Sequence, residues 1–228
     1  MADTGSDSEQ RILHEENGFR YIVATEKYAT AVVHVLSESF VREPMSAALG
    51  ISAHRMAPLI ARLTPECTTN GLSVLALPVD DENTVAGVFI CRDFKSPLPF
   101  AVPDEFAWFS PIGQILGAVD EAYESGQPEL KLGDAVDLWM VGVPPGGRFA
   151  GKGIATNLFR VSADLARKRG FKRCVSECTG HYSQTAARKT GLKERARISY
   201  KDFRFDGRPV LAGIEPPHTH VTLFEREF

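Results

Sequence analysis

Residues 137–159, DLWMVGVPPGGRFAGKGIATNLF, set an apolar strand, a glycine-rich turn and the start of a long helix end to end. No other stretch constrains the chain as much. Glycines remove Cβ atoms, so backbone can approach a ligand closely. The first N–H groups of a helix lack intrahelical partners, and the helix dipole favours negative charge there. Such a turn cradles a diphosphate, and Arg148 and Lys152 add cationic donors. A glycine turn without a ligand explains the glycines but not the two cations among them. Gly146, Gly151 and Lys152 satisfy seven positions of G-x-x-x-x-G-K-[ST], yet Gly153 stands where the Mg²⁺-binding hydroxyl belongs, and no second acidic run is evident. The dinucleotide pattern G-x-G-x-x-G fails at Thr156.

The flanking pattern alternates strands and helices. Residues 1–18 read as a mobile leader and Phe19 to Thr25 as a first strand. Apolar positions Tyr28, Val32, Val35, Leu36 and Phe40 predict a helix over 26–40, with Thr25 as its N-cap. Pro44 ends it, leaving Arg42 and Glu43 in a loop. A second helix is expected over 52–67, with Pro58 tolerated only in its first turn or at a kink. Residues 72–79 and 84–92 read as a β-hairpin. A helical stretch follows from about 104 to 125, then a strand over 135–143. The helix over 151–169 carries the stripe Ile154, Leu158, Val161, Leu165 and Ala166 and stops at Gly170. A strand (171–177), a short helix (181–190) and two closing strands (193–205 and 219–227) complete one α/β (α+β) domain over 19–228.

Composition narrows the function. With 26 Lys and Arg against 29 Asp and Glu in 228 residues, the net charge is −3. The pI is near 6.1, so no basic face marks a nucleic-acid binder. No apolar run approaches the ~18 residues of a membrane span, and the polar start MADTGSDSEQ is wrong for a secretory signal. A cytoplasmic protein with neither nucleic acid nor membrane as partner is the expectation. Cys174 and Cys178 point to one face of their strand and, like Cys67 and Cys91, read as buried free thiols. No metal site is expected: His218 and His220 have i, i+2 spacing without a third ligand. His34 and His181 read as satisfied or locally hydrogen-bonded. Phe106, Trp108 and Phe109 either close an acceptor pocket or pack the helix they open.

Arg148-Phe149-Ala150-Gly151-Lys152-Gly153, between strand and helix, resembles the R/Q-x-x-G-x-G/A motif of the GNAT superfamily of N-acetyltransferases. Cys178 to Leu192 (CTGHYSQTAARKTGL) is similar to that family's next segment. Ser37 to Ile51 (SESFVREPMSAALGI), the insert FAWFSPIGQILGAVDEAYES and the closing HTHVTLFERE resemble its arylalkylamine N-acyltransferase branch. The resemblance covers nearly all of the chain after residue 19. It implies a mixed, mostly antiparallel central sheet flanked by helices, with a splayed strand pair forming an acyl-CoA gap. It also implies acetyl-CoA as co-substrate, held by backbone of Met140, Val141 and Val143 along the pantetheine and by Arg148, Phe149, Ala150, Gly151, Lys152, Gly153, Ile154 and Ala155 around the diphosphate.

An alkylammonium has a pKa of ~10.4 and no lone pair, so amine acylation requires a base. The resemblance points to Glu43 in the Glu-Pro segment, with Asp137 on the strand before the loop as the second candidate. Glu43 is favoured because its flanking residues also match. Thr179 and Ser183 fall where two hydroxyls assist the base. Ala187 stands where many relatives carry the tyrosine that protonates the thiolate; Tyr182 or Ser183 is the possible substitute. His218 or His220 is expected to line the acceptor pocket. The expected activity is transfer of an acetyl or short acyl group from CoA to a small primary amine by direct attack in a ternary complex. The rivals are a protein or aminoglycoside amine as acceptor, and a non-catalytic acyl-CoA-binding module.

Overall fold

A computed structural model of the chain describes residues 12–97 and 104–228. Its frame is an eight-stranded sheet in the order β1-β2-β3-β4-β5-β6-β8-β7. The strands are β1 (Ile12–Glu16), β2 (Phe19–Val23), β3 (Val74–Pro78), β4 (Gly87–Asp93), β5 (Ala135–Gly142), β6 (Arg173–Cys178), β7 (Lys193–Ser199) and β8 (His220–Glu227). Every neighbouring pair is antiparallel except β5 and β6. The expected mixed, mostly antiparallel sheet flanked by helices is what the chain forms.

Side chains alternate across the sheet and give it two buried faces. One face carries Ile22, Leu75, Val88, Ile90 and Val175 and is covered by α1 (Ala29–Phe40), α3 (Ala53–Thr69) and α4 (Ser110–Glu124). The other carries Tyr21, Val74, Phe89, Leu138 and Cys174 and is covered by α5 (Ile154–Lys168) and α6 (His181–Lys189). All four cysteines are buried free thiols. Two glycines allow close packing of these layers. A Cβ on Gly87 would lie 2.7 Å from Ile154 Cγ2 of α5, and one on Gly142 would lie 3.0 Å from Leu36 and Ser39 of α1.

Several boundaries differ from expectation. Residues 1–11 lie outside the described structure, but from Ile12 the supposed leader is an edge strand paired with β2. Residues 26–28 form a 3₁₀ turn before α1, and the Thr25 side chain caps nothing. Pro58 is neither in the first turn of α3 nor at its end: the helix runs through both Pro58 and Pro65. Each interior proline costs about 3 kcal/mol, whereas burial of Met56, Leu59, Ile60 and Leu63 contributes roughly 1.5–3 kcal/mol apiece. Packing therefore overrides propensity. Helix α5 starts at Ile154 rather than Gly151, because Gly151 (φ 70°) and Gly153 (φ 77°) are left-handed. Strand β7 stops at Ser199, well short of Phe205.

Strands β5 and β6 are hydrogen-bonded only where Ala135–Asp137 meets Arg173–Val175. Beyond those residues β5 continues to Gly142 and β6 to Cys178 without pairing, although the Ser176 hydroxyl still donates to the Leu138 carbonyl at 2.7 Å. The register of β5 against β4 also slips between Ile90 and Cys91, and Trp139 and Met140 both pack toward the α1 and α3 side. Bulge and splay together open a wedge in the middle of the sheet.

Candidate active site

A cavity of about 400 Å³ fills this wedge, walled by α1, the short helix α2 (Pro44–Ala48), α3, α4, β5, β6 and the start of α6. Most of its wall is apolar, with Met56, Leu59, Phe109, Ile112, Leu116 and Trp139 on one side. Phe109 thus faces the cavity, whereas Phe106 is buried in the core and Trp108 packs under the Arg55 guanidinium.

Glu43 lies in the cavity wall, and it is not a loop residue but the N-cap of α2, with Pro44 at the first helical position. Its carboxylate accepts the N–H groups of Met45 (3.1 Å) and Ser46 (2.7 Å). Burial pushes its pKa up, while those two amides and the Thr179 hydroxyl pull the other way; the net shift is upward. Thr179, just past β6, is itself anchored, because the buried Tyr200 hydroxyl donates to its carbonyl oxygen. Ser183 reaches the same cavity but its hydroxyl is engaged locally: it donates to the Gly180 carbonyl (2.9 Å) and accepts the Gly180 N–H (3.3 Å) at the start of α6.

The other candidates separate. Asp137 is only 5% exposed and is not in the cavity wall; burial, then the neighbouring Asp120, hold its pKa well above the carboxylate range. Of the two expected base candidates, Glu43 therefore lies in the cavity wall and Asp137 does not. Tyr182 borders the cavity but is 75% exposed, stacked edge-on between His181 and His218. His218 borders it too and accepts the His181 N–H at 3.1 Å, so its Nδ1 is unprotonated. His220 does not: it opens β8, with Nδ1 2.7 Å from the Thr219 hydroxyl. Ala187 is fully buried and offers no acid.

The glycine-rich turn lies beside the splay. Gly146, Gly147, Gly151 and Gly153 all have φ between 63° and 77°, and a Cβ on any of them would meet nothing within 4 Å. Their service is to backbone conformation, not to packing. No side chain caps the α5 amides, so those N–H groups face outward with the dipole behind them. Lys152 is exposed, and Arg148 lies over the Phe149 ring, 3.6 Å from Asp81. Uncapped amides with two cations beside them suit an anion, and this donor set fits the diphosphate of a coenzyme. Met140 and Val141 reach the cavity from the part of β5 that pairs with β4 but not with β6, whereas the Val143 carbonyl already accepts the Ser39 hydroxyl at 3.0 Å.

Sequence reasoning passed over a second carboxylate in the cavity wall. Glu177 of β6 lines the cavity, backed by Asp120 of α4, Asp137 of β5 and Arg92 of β4. Burial, then the Asp137 charge, raises the Glu177 pKa to about 8. Burial, then Glu177, raises that of Asp120 to about 9. No local motif marks these residues, which lie up to 85 positions apart (92 to 177) and meet only because α4 packs on the sheet. Among the described residues, no group of three or more His, Cys, Asp or Glu is arranged to hold a metal ion, and no helix is long and apolar enough to cross a membrane.

No family model matches the chain. Solved structures do. Arylalkylamine N-acetyltransferase 2 from Aedes aegypti superposes with a TM-score of 0.76 over 92% of this chain and 98% of its own, at 22% identity. The C-terminal condensation domain of Ebony, in complex with β-alanyl-dopamine, gives 0.80 over 92% and 99% at 12% identity. A Drosophila melanogaster polyamine N-acetyltransferase that forms N-acetylagmatine gives 0.69 over 92% and 100% at 18% identity. The fold is that of the GNAT N-acetyltransferases.

Proposed function

We propose that the protein is an acyl-CoA-dependent N-acyltransferase acting on a small primary amine. The observation that carries this reading is the junction of two features at one splay: a left-handed glycine turn with uncapped amides at the N-terminus of α5, and a largely apolar cavity with a carboxylate of raised pKa in its wall. A fold shared with enzymes named for acetylation of arylalkylamines and polyamines supports it. Acetyl-CoA supplies the acyl thioester. Backbone of Arg148 to Gly153, with the amides of Ile154 and Ala155, holds its diphosphate, and the free edge of β5 at Met140 and Val141 lies along its arm.

Glu43 is the base. A carboxylate in the cavity wall, fixed by two amides and a threonine hydroxyl, is held in one position beside a bound acceptor. It takes the ammonium proton there, directly or through one water, leaving nitrogen free to attack. Its raised pKa brings it closer to the amine and improves the driving force for that transfer. Thr179 holds the base, Ser183 and Tyr182 are the hydroxyls near the mouth, and His218 borders the acceptor's path. The departing thiolate is stable near neutral pH, which agrees with the loss of an acid at Ala187. All four cysteines are buried, and Cys67, Cys174 and Cys178 have thiol pKa values raised to about 12. An acyl-enzyme through a cysteine is thus disfavoured.

The test is free-thiol release from acetyl-CoA across a panel of small amines, with Glu43→Gln as control. Turnover of free amines, reduced about 10²–10⁴-fold in kcat/KM by the substitution, is expected. Coenzyme binding with no thiol release on any amine, and no effect of Glu43→Gln, would mark a binding module instead.

A further inference from the structure

Among the described residues, the cavity wall carries two carboxyls, Glu43 and Glu177, and the mechanism above uses only the first. Glu177 of β6 is hydrogen-bonded to Asp120 of α4, which lies behind the wall. Two carboxyl groups bond to each other only through a proton, so the pair holds one. The wall around it is apolar, with Leu116 and Ile112 one and two turns before Asp120 on α4. The cavity is therefore faced by an acid in its protonated form.

The register of the sheet places this dyad. Strands β5 and β6 pair one for one as far as Asp137 with Val175, and the Ser176 hydroxyl still reaches the Leu138 carbonyl. Two residues beyond the last pair, Trp139 stands across the opening from Glu177; two further on, Val141 stands across from Thr179, the partner of Glu43. The edge of β5 along which the coenzyme arm is proposed to lie is thus flanked by two stations that handle protons. They are about 6–7 Å apart at the strand rise of ~3.3 Å per residue. The other expected donors are poorly placed: Ala187 has no acidic group, the Ser183 hydroxyl is engaged with Gly180, and Tyr182 is 75% exposed.

We propose that Glu177 is the general acid of the reaction, giving the proton it shares with Asp120 to the departing thiolate. This rests on the N-acyltransferase reading, in which Glu43 takes a proton from the ammonium. The nitrogen lone pair so freed forms the C–N bond, the C–S bond breaks with its electron pair on sulfur, and sulfur takes the Glu177 proton. The nitrogen sheds a second proton as the amide forms. Of its two protons, one refills the dyad and one goes to solvent, leaving amide, free thiol and one released proton per turnover.

The surroundings suit the task. Arg92 from β4 and Lys95 from the segment after β4 favour loss of the shared proton; Asp137 from β5 and Glu124 from α4 favour its retention, with Cys67 of α3 beside Asp137. Burial adds to the second group and brings Glu177 to about 8. An ordinary thiol titrates at about 8.5, so Glu177 keeps its proton at neutral pH and yields it to a thiolate.

Infrared difference spectroscopy of the full-length protein without coenzyme tests the dyad apart from turnover. Expected is a protonated-carboxyl band at pH 7 that shifts in D2O, fades between pH 7 and 10, and is lost in Glu177→Gln. Single-turnover acyl transfer from acetyl-CoA to a small amine tests the role. Because a thiolate can leave unaided near neutral pH, Glu177→Gln should slow transfer by about 10–10²-fold, at the low end for a general acid. The amine KM should change less than about threefold, and the loss of rate above about pH 8 should disappear. Asp120→Asn removes a negative neighbour and leaves an amide donor to the Glu177 carboxylate, so it should move that alkaline limb to lower pH. Absence of the band at pH 7 overturns the proposal. So does a Glu177→Gln variant that transfers at the unsubstituted rate with its alkaline limb intact, or one whose only defect is a raised KM. In those cases the unsubstituted protein still acylates amines and the transferase reading stands; if it acylates none, both fall.

Discussion

At Glu43 two opposing influences act on one carboxylate: enclosure favours the neutral acid, and donors from Met45, Ser46 and Thr179 favour the ion. Enclosure wins, so a base limb in the pH profile of kcat/KM is expected above the ordinary carboxylate range of about 4.3. The sign of a Thr179 substitution follows. Removing a donor to the ionised form raises the pKa further, so Thr179→Val should move that limb to higher pH, while Thr179→Ser, which keeps the hydroxyl, should leave it in place. A limb that does not move in Thr179→Val would separate Thr179 from the base. Asp137→Asn, by contrast, should leave the same limb where it is, because the residue does not reach the cavity wall.

Among elements, the β5–turn–α5 unit was readable because its signals are local: an apolar run, glycines at the turn, then a stripe at helical spacing. The true start at Ile154 was missed by three residues, since a left-handed φ at Gly151 and Gly153 is decided by the turn and not by the pattern. Strand β1 was invisible for another reason. ILHEE has one apolar residue on each face, too few for an alternating pattern, and becomes a strand because β2 offers it backbone partners. Helix α2 hid in the same way: five residues carry no period, and Glu43 is an uncommon capping residue. The Arg92–Asp120–Asp137–Glu177 cluster had no local trace at all, being a product of strand order and of α4 packing on the sheet. The unit's two kinds of glycine predict two different failures. Gly151→Ala forces a side chain into a left-handed conformation, at about 1–2 kcal/mol, without touching the core; coenzyme affinity by calorimetry should fall roughly 5–30-fold with little change in Tm. Gly87→Ala drives a Cβ to 2.7 Å from Ile154 Cγ2 and 3.1 Å from Leu158 Cδ1. Overpacking of this kind costs about 1–3 kcal/mol, so Tm should drop. Because Ile154 opens α5, coenzyme affinity should drop with it. Ile154→Ala in the same chain should recover part of both losses, and additive losses in the double variant would mean that the two residues do not press on each other.

For the whole molecule, buried acids set how stability varies with pH, and they pull in opposite senses. Glu225 of β8 is 1% exposed. Burial alone would raise its pKa, but hydrogen bonds from Tyr123 (2.6 Å), Arg195 (2.7 Å) and Arg173 (2.7 Å) outweigh this and hold it low. It ties α4, β6, β7 and β8 together, contributing stability present above the unfolded value near 4.3 and lost as pH falls through the lower folded value. Glu177 and Asp120 do the reverse. Their folded values, about 8 and about 9, exceed those of the unfolded chain. Between about pH 4 and pH 9 the folded state keeps protons that the unfolded state has released, so the slope of unfolding free energy against pH is negative. Stability therefore falls progressively as pH rises across that window, so Tm should peak near pH 5 and decline toward pH 9. Glu177→Gln and Asp120→Asn should each flatten the alkaline side and leave the acid side alone. Scanning calorimetry from pH 4 to 9 decides it: a Tm that holds level or rises toward pH 9 in the unsubstituted protein would mean that these carboxyls are ionised and paired at neutral pH.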